Sequence, residues 1–203
     1  MALWKACRTE QSAPVRPALF LDRDGVVIVD RNYLSDPDQV ELIDGVAETM
    51  KAAAAAGYLL IGVSNQSGLG RNHFTEQELI LVMNRLDEML RDEGTGFDGF
   101  YYCPHAPEDQ CECRKPKTGL LEEAAETCVW DASRSWVVGD KTSDVALAVA
   151  GQMGGILVRT GHGPDYETEV GRLAASNSRI LIADNLPDAF AALRQFEPKD
   201  LDQ

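Results

Sequence analysis

Residues 18–25, Ala-Leu-Phe-Leu-Asp-Arg-Asp-Gly, pass from wholly apolar to charged in a single step. The run Leu19-Phe20-Leu21 suits a strand buried on both faces, and a second apolar run, 26–29, resumes directly after Gly25. An apolar strand that releases carboxylates at its C-terminal end is how open α/β sheets present reactive groups. Asp22 and Asp24 can leave that strand end aimed at one spot. There they can share a hard cation such as Mg²⁺, or divide the work of nucleophile and general acid–base. Asp and Gly are also turn residues, so in isolation the tetrapeptide reads equally well as a surface turn.

The rest of the chain supports the strand. Apolar runs at 58–63, 97–102, 135–139, 155–158 and 180–183 read as further strands. Helices are expected between them: one over 46–56 capped by Asp44 and stopped by Gly57, one over 120–128 capped by Thr118, and shorter ones over 145–150 and 186–196. Thr75-Glu76-Gln77-Glu78 has capping-box spacing. It opens an amphipathic helix on which Leu79, Val82, Met83, Leu86, Met89 and Leu90 recur at three and four. Strands alternating with helices build βαβ units, whose crossovers require a mainly parallel sheet with helices on both faces. A single doubly wound α/β domain over 18–203 is expected, with 1–17 a disordered lead-in and 161–178 a loop.

Charge narrows the partners. Lys and Arg number 19 against 33 Asp and Glu, a net charge of −14, which argues against nucleic acid or an anionic membrane. No apolar run approaches the ~18 residues of a membrane span, and the N-terminus lacks the apolar core of a secretory signal. A soluble, cytoplasmic monomer acting on a small molecule is the expectation.

The chemically loaded residues follow predicted strands: Asp22 and Asp24 the first, Ser64 and Asn65 the second, Arg114 and Lys115 a loop after the third, Asp140, Lys141 and Asp144 the fourth. In a parallel sheet these positions share one edge. Carboxylates, cations and a divalent ion together suit phosphoryl transfer, where catalysis is largely positioning and charge neutralisation. The ordered set Asp22-Arg-Asp24-Gly-Val, Ser64-Asn65-Gln66-Ser67-Gly68, Lys115-Pro116 and Gly139-Asp140-Lys141-Thr-Ser-Asp144 resembles the haloacid dehalogenase superfamily of phosphatases. Over residues 18–161 the chain is similar to the branch that acts on heptose bisphosphates and histidinol phosphate.

That resemblance implies a Rossmann-like haloacid dehalogenase fold with a minimal cap, and a set of roles. Asp22 is the nucleophile that forms an aspartyl-phosphate, and Asp24 the general acid–base. Mg²⁺ is held by Asp22, the Asp24 main-chain carbonyl and Asp140. Ser64 and Lys115 bind the transferring phosphoryl oxygens. Asp30, Arg31, Asn32, Tyr33, Asn65, Gln66, Ser67, Arg114 and Lys141 line the substrate side. Asp144 reads either as a carboxylate behind the metal or as a partner of its helix dipole. Arg23 reads as a salt-bridge or solvent-facing residue, and His162 as a plain loop residue.

Three of the five cysteines fall within residues 103–113. Cys103, His105, Cys111 and Cys113 form a Cys₃His set suited to a closed, structural Zn²⁺ site, and the resemblance also places zinc here. A disulfide or unrelated buried cysteines is the alternative. The zinc would order the loop leading into Arg114 and Lys115.

Two features divide the substrate. The short His105–Cys111 interval is similar to histidinol-phosphate enzymes. Residues 30–33, 41–45 and 65–71, with Lys141, are closer to the heptose enzymes, and since they line the entrance they favour removal of the 7-phosphate from D-glycero-D-manno-heptose 1,7-bisphosphate. A non-catalytic phospho-ligand binding protein is the alternative of another class, opposed by the retention of Asp22, Asp24, Lys115 and Asp140.

Overall fold

The computed structural model describes residues 2–7 and 14–196. The strands are β1 (Ala2–Lys5), β2 (Ala18–Leu21), β3 (Leu59–Asn65), β4 (Gly99–Cys103), β5 (Trp136–Gly139), β6 (Gly154–Val158) and β7 (Ile180–Ala183). They form one sheet in the order β1-β4-β3-β2-β5-β6-β7, parallel throughout except for β1. The chain winds outward from β2 to β3 and β4, then returns to add β5, β6 and β7 on the other side. Strand order therefore reverses beside β2, and the crevice over the C-terminal ends of β2 and β5 is the topological switch point.

Alternation along β2 decides the layers. Leu19 and Leu21 enter one core with Val46 and Met50 of α1 (Val46–Ala55), Leu79, Val82 and Leu86 of α3 (Glu76–Asp92), and Leu186 and Ala189 of α7 (Leu186–Leu193). Ala18 and Phe20 enter the opposite core with Leu120 and Leu121 of α4 (Gly119–Ala125) and Leu147 and Ala148 of α5 (Thr142–Ala150). A short helix, α2 (Ser67–Gly70), follows β3 directly. The doubly wound α/β expectation holds.

Three local expectations are corrected. The lead-in is not loose over Ala2–Lys5, which pairs antiparallel with β4, and Cys7 is buried with its N–H donating to Tyr101 Oη at 3.0 Å. The remainder of that segment, residues 1 and 8–13, lies outside the described residues, as do 197–203. The 161–178 stretch contains α6 (Gly163–Ala174), which buries only Gly163 and Val170, too few apolar positions to register as a periodic face. The α1 N-cap is Gly45, at φ 77°, in place of Asp44. The Thr75–Glu78 capping box forms as expected, with Glu78 Oε2 accepting from the Thr75 N–H at 2.7 Å.

Candidate active site

Lys115 is the centre of charge in the switch-point cleft. Its ammonium is buried, 3.0 Å from Asp22 Oδ1 and 2.6 Å from Asp144 Oδ1, and donates to the Val63 carbonyl at 2.7 Å. Burial alone would lower its pKa, but Asp144 and Asp22 outweigh burial and raise it, so Lys115 stays charged. Asn65, at the end of β3, clamps the Lys115 peptide from both sides: Oδ1 accepts its N–H at 3.0 Å and Nδ2 donates to its carbonyl at 3.2 Å. Asn65, expected beside the substrate, thus lines the cleft and also fixes where Lys115 enters it.

Asp22 is buried, 6 % exposed, and lines the cleft. Burial raises its pKa, yet Lys115 and Lys141 more than compensate and hold the carboxyl below its usual range. Asp140 lies at the end of β5 with 0 % exposure; burial, then the charge of Asp22, push its carboxyl upward. Lys141 Nζ sits 2.8 Å from Asp140 Oδ1, and the His162 N–H donates to Asp140 Oδ2 at 2.9 Å. Asp144 takes the helix-terminal place of one earlier reading and pairs with Lys115 as well. Its Oδ2 accepts the Lys141 N–H at 3.1 Å in the first turn of α5, and its Oδ1 faces Lys115. Burial raises the Asp144 carboxyl to about 6 against the pull of Lys115.

Asp24 is gripped from the other side. Arg23 Nη2 lies 2.9 Å from both its carboxylate oxygens, and Gln66 Nε2 donates to Oδ2 at 3.0 Å. Gln66 also donates to Ser64 Oγ at 2.8 Å and accepts from Arg23 at 3.1 Å, so it ties the first two motifs together. Arg23 does make the expected salt bridge, but at 1 % exposure it faces protein and not solvent.

The carboxylates suit a hard cation. Oxygens of Asp22, Asp140 and Asp144 lie within 4.8 Å of one another. The backbone packs closely around Asp140: a Cβ on Gly25 (φ +77°) or Gly161 (φ +60°) would stand 2.5 Å from Asp140 Oδ2, so glycine lets both loops approach it. Buried anionic oxygens this close together can hold Mg²⁺. Among the described residues, Asp24 is not one of the carboxylates in this cluster.

A second donor set follows β4. Cys103 Sγ and Cys113 Sγ are each 3.6 Å from Cys111 Sγ, and His105 Nδ1 is 3.7 Å from Cys103 Sγ and 3.3 Å from Cys113 Sγ. A tetrahedral zinc with arms of about 2.3 Å to sulfur would need edges of about 3.8 Å. The thiols are free, so the disulfide alternative is not adopted, and the donors could hold zinc with no open position. Directly after this loop, Arg114 Nη1 is 3.4 Å from the His105 carbonyl, and Arg114 lines the main cleft.

A cavity of about 410 Å³ unites these groups, walled by Asp22, Asp24, Asp30, Asn32, Tyr33 and Ser64. Its remaining predicted walls are Asn65, Gln66, Ser67, Arg114, Lys115 and Lys141. Arg31 does not line the cleft, nor do residues 41–45 and 69–71, which the sequence placed at the entrance; the exposed Arg31 guanidinium pairs with Glu41.

The family model described as HAD-hydrolase-like matches residues 112–189. The D-glycero-beta-D-manno-heptose-1,7-bisphosphate 7-phosphatase of Vibrio cholerae is 44% identical over 154 residues, spanning 72% of this chain and 83% of that protein. The enzyme of the same name from Yersinia pestis is 40% identical over 87% of this chain and 96% of its own length. The chain belongs to this phosphatase family. Among solved structures, the D,D-heptose 1,7-bisphosphate phosphatase from B. bronchiseptica, complexed with magnesium and phosphate, superposes with a TM-score of 0.80 at 27% identity, covering 89% of this chain and 99% of its own. A HAD-like phosphatase from Mesorhizobium loti gives 0.77 at 30% identity, covering 98% and 96%.

Within the phosphatase cleft, sequence reasoning passed over several residues. Phe74, Thr142, Ser143, His162 and Tyr166 also line it. His162 Nε2 lies 3.2 Å from Asp30 Oδ2, joining the loop after β6 to the loop after β2. No local pattern in Gly-His-Gly marks that contact, because its partner is far away in sequence.

Proposed function

We propose that this chain removes the 7-phosphate of D-glycero-β-D-manno-heptose 1,7-bisphosphate by way of an aspartyl-phosphate on Asp22, as a Mg²⁺-dependent, cytoplasmic, monomeric enzyme. The observation that carries the reading is a buried carboxylate, Asp22, kept ionised by Lys115 and Lys141 at the mouth of a cleft whose walls are rich in polar groups. The relatives' shared activity supports the choice of sugar.

The ionised Asp22 carboxylate attacks phosphorus while the ester P–O bond breaks, and Asp24 gives its proton to the departing sugar alkoxide. Asp24 then takes a proton from a water that attacks the aspartyl-phosphate, which releases inorganic phosphate and restores Asp22. Lys115 Nζ and Ser64 Oγ receive the phosphoryl oxygens, and their fixed positions mean little reorganisation accompanies transfer. Asp22, Asp140 and the Asp24 carbonyl would hold Mg²⁺, which when bound offsets the repulsion between carboxylate and phosphate. Arg114 supplies positive charge to the remainder of the substrate. Cys103, His105, Cys111 and Cys113 would hold a structural zinc that keeps the Arg114 segment ordered.

The test is phosphate release under Mg²⁺ from the heptose bisphosphate and from histidinol phosphate, side by side, with Asp22→Asn as the blank. The heptose ester is expected to win by orders of magnitude in kcat/KM. A preference for histidinol phosphate would make the short His105–Cys111 interval the better guide to substrate. Turnover of neither above the blank would leave a phospho-ligand binding protein.

A further inference from the structure

The loop after β2 that carries Asp30, Asn32 and Tyr33 has left-handed backbone at both Asn32 (φ 51°) and Tyr33 (φ 58°). That conformation is uncommon for a bulky aromatic residue and persists only where surrounding contacts hold it. One end of the loop is tied to the domain. Asp30 Oδ1 accepts the Asn32 N–H at 2.9 Å, and Oδ2 lies 3.2 Å from His162 Nε2. The other end reaches across the cleft. The Tyr33 ring stacks on His73, centroids 4.2 Å apart and planes 30° apart, and Tyr33 Oη accepts from Arg71 Nη1 at 3.1 Å. The same guanidinium donates through Nη2 to Glu108 Oε1 at 3.2 Å, in the loop between His105 and Cys111.

Arg71 is therefore the joint of three loops: the one after β2, the one after β3, and the cysteine loop after β4. It does not line the cleft, but Tyr33 does. Its bridge to Glu108 is exposed, 39 % and 71 % for the two side chains, so as an ion pair it contributes little energy. What the planar fork offers is geometry, two partners held at once by a rigid group, which a lysine could not match. Among the described residues no cap domain covers the cleft, and a clasp of this kind is what can hold Tyr33 over the part of the substrate that does not react.

Resting on the proposed sugar-bisphosphate activity, we propose that Arg71 is a positioning residue for specificity. It holds Tyr33 against the non-reacting, polyhydroxylated part of the substrate and so favours an extended sugar phosphate over a small monoester. The aspartate chemistry lies beyond its reach.

The test is a double-mutant cycle with Arg71→Ala and Tyr33→Phe on the heptose bisphosphate and on p-nitrophenyl phosphate. Each single change is expected to raise KM for the bisphosphate by about tenfold, the loss of uniform binding without loss of transition-state stabilisation. In Arg71→Ala, kcat should stay within about twofold and kcat/KM for p-nitrophenyl phosphate should not change. The double variant should be no worse than Arg71→Ala alone, because that change already removes the contact Tyr33→Phe deletes. Hydrogen exchange is the second readout, independent of substrate: in Arg71→Ala, amides 30–36 should exchange faster while those of β2 do not change. Equal losses on both substrates, multiplicative single effects, or unchanged exchange over 30–36 would each overturn the clasp. If the wild type leaves the heptose bisphosphate intact but the exchange pattern appears, the sugar assignment fails while the clasp stands.

Discussion

Lys115 organises the cleft electrostatically, because its ammonium touches both Asp22 and Asp144. Replacing it with Met keeps the stem and removes the charge. Phosphatase activity is expected to fall by at least about two orders of magnitude, the range seen when a charge aimed at a transition state is removed. The pH profile gives an independent readout. Asp22 has a folded pKa below its usual value, so the ionised nucleophile, and the stability its ionisation contributes, persist as pH falls until that depressed value is reached. Without the Lys115 ammonium, burial dominates and the Asp22 pKa rises. The acid limb of residual kcat/KM in Lys115→Met should therefore move to higher pH. An unchanged acid limb would mean that another group controls the ionisation of Asp22.

Among the elements, those whose burial is written in a local pattern were legible. The apolar step at Asp22 located β2, and the three-and-four spacing from Leu79 to Leu90 located α3. The α3 capping box is testable on its own terms. Thr75→Ala should cost about 1 kcal/mol in chemical denaturation at neutral pH. The Thr75 N–H and hydroxyl hold the Glu78 carboxyl below its usual range, so that contribution exists above the unfolded value and is lost as pH falls through the folded one. Wild type and variant should draw closer in acid without converging, because the Thr75 hydroxyl still accepts the Glu78 N–H. β1 and α6 were not legible for a physical reason. Four residues of edge strand have no pattern of their own until β4 offers a ladder, and α6 packs through Val170 with most of its surface in water. The cysteine loop lies between these cases: its ligand spacing was plain, but the closeness of its four donor atoms depended on the fold of the loop after β4. Cys111→Ser is expected to lower the bound zinc measured by metal analysis and to weaken activity by disordering Arg114, with no effect on Mg²⁺ dependence. A zinc-free variant with full activity would remove the loop's proposed role.

At the scale of the whole molecule, strand order decides why distant residues meet. The sequence alone determined the α/β class, the strand ends that carry Asp22, Ser64, Lys115 and Asp140, and the donor types of both metal-competent clusters. It could do so because burial periodicity and ligand chemistry are local properties. Only the tertiary structure decided how those residues are used. Asn65 serves the Lys115 backbone, Asp144 splits between Lys115 and its own helix, and Arg31 turns to Glu41. Arg71 and His162 contact the loop after β2 at Tyr33 and Asp30, both of which line the cleft. Apart from Arg31 with Glu41 and Asp144 with its own helix, each of these outcomes is a choice of partner across dozens of residues. Such a choice is made by which loops the sheet order brings side by side, a quantity no stretch of local sequence contains.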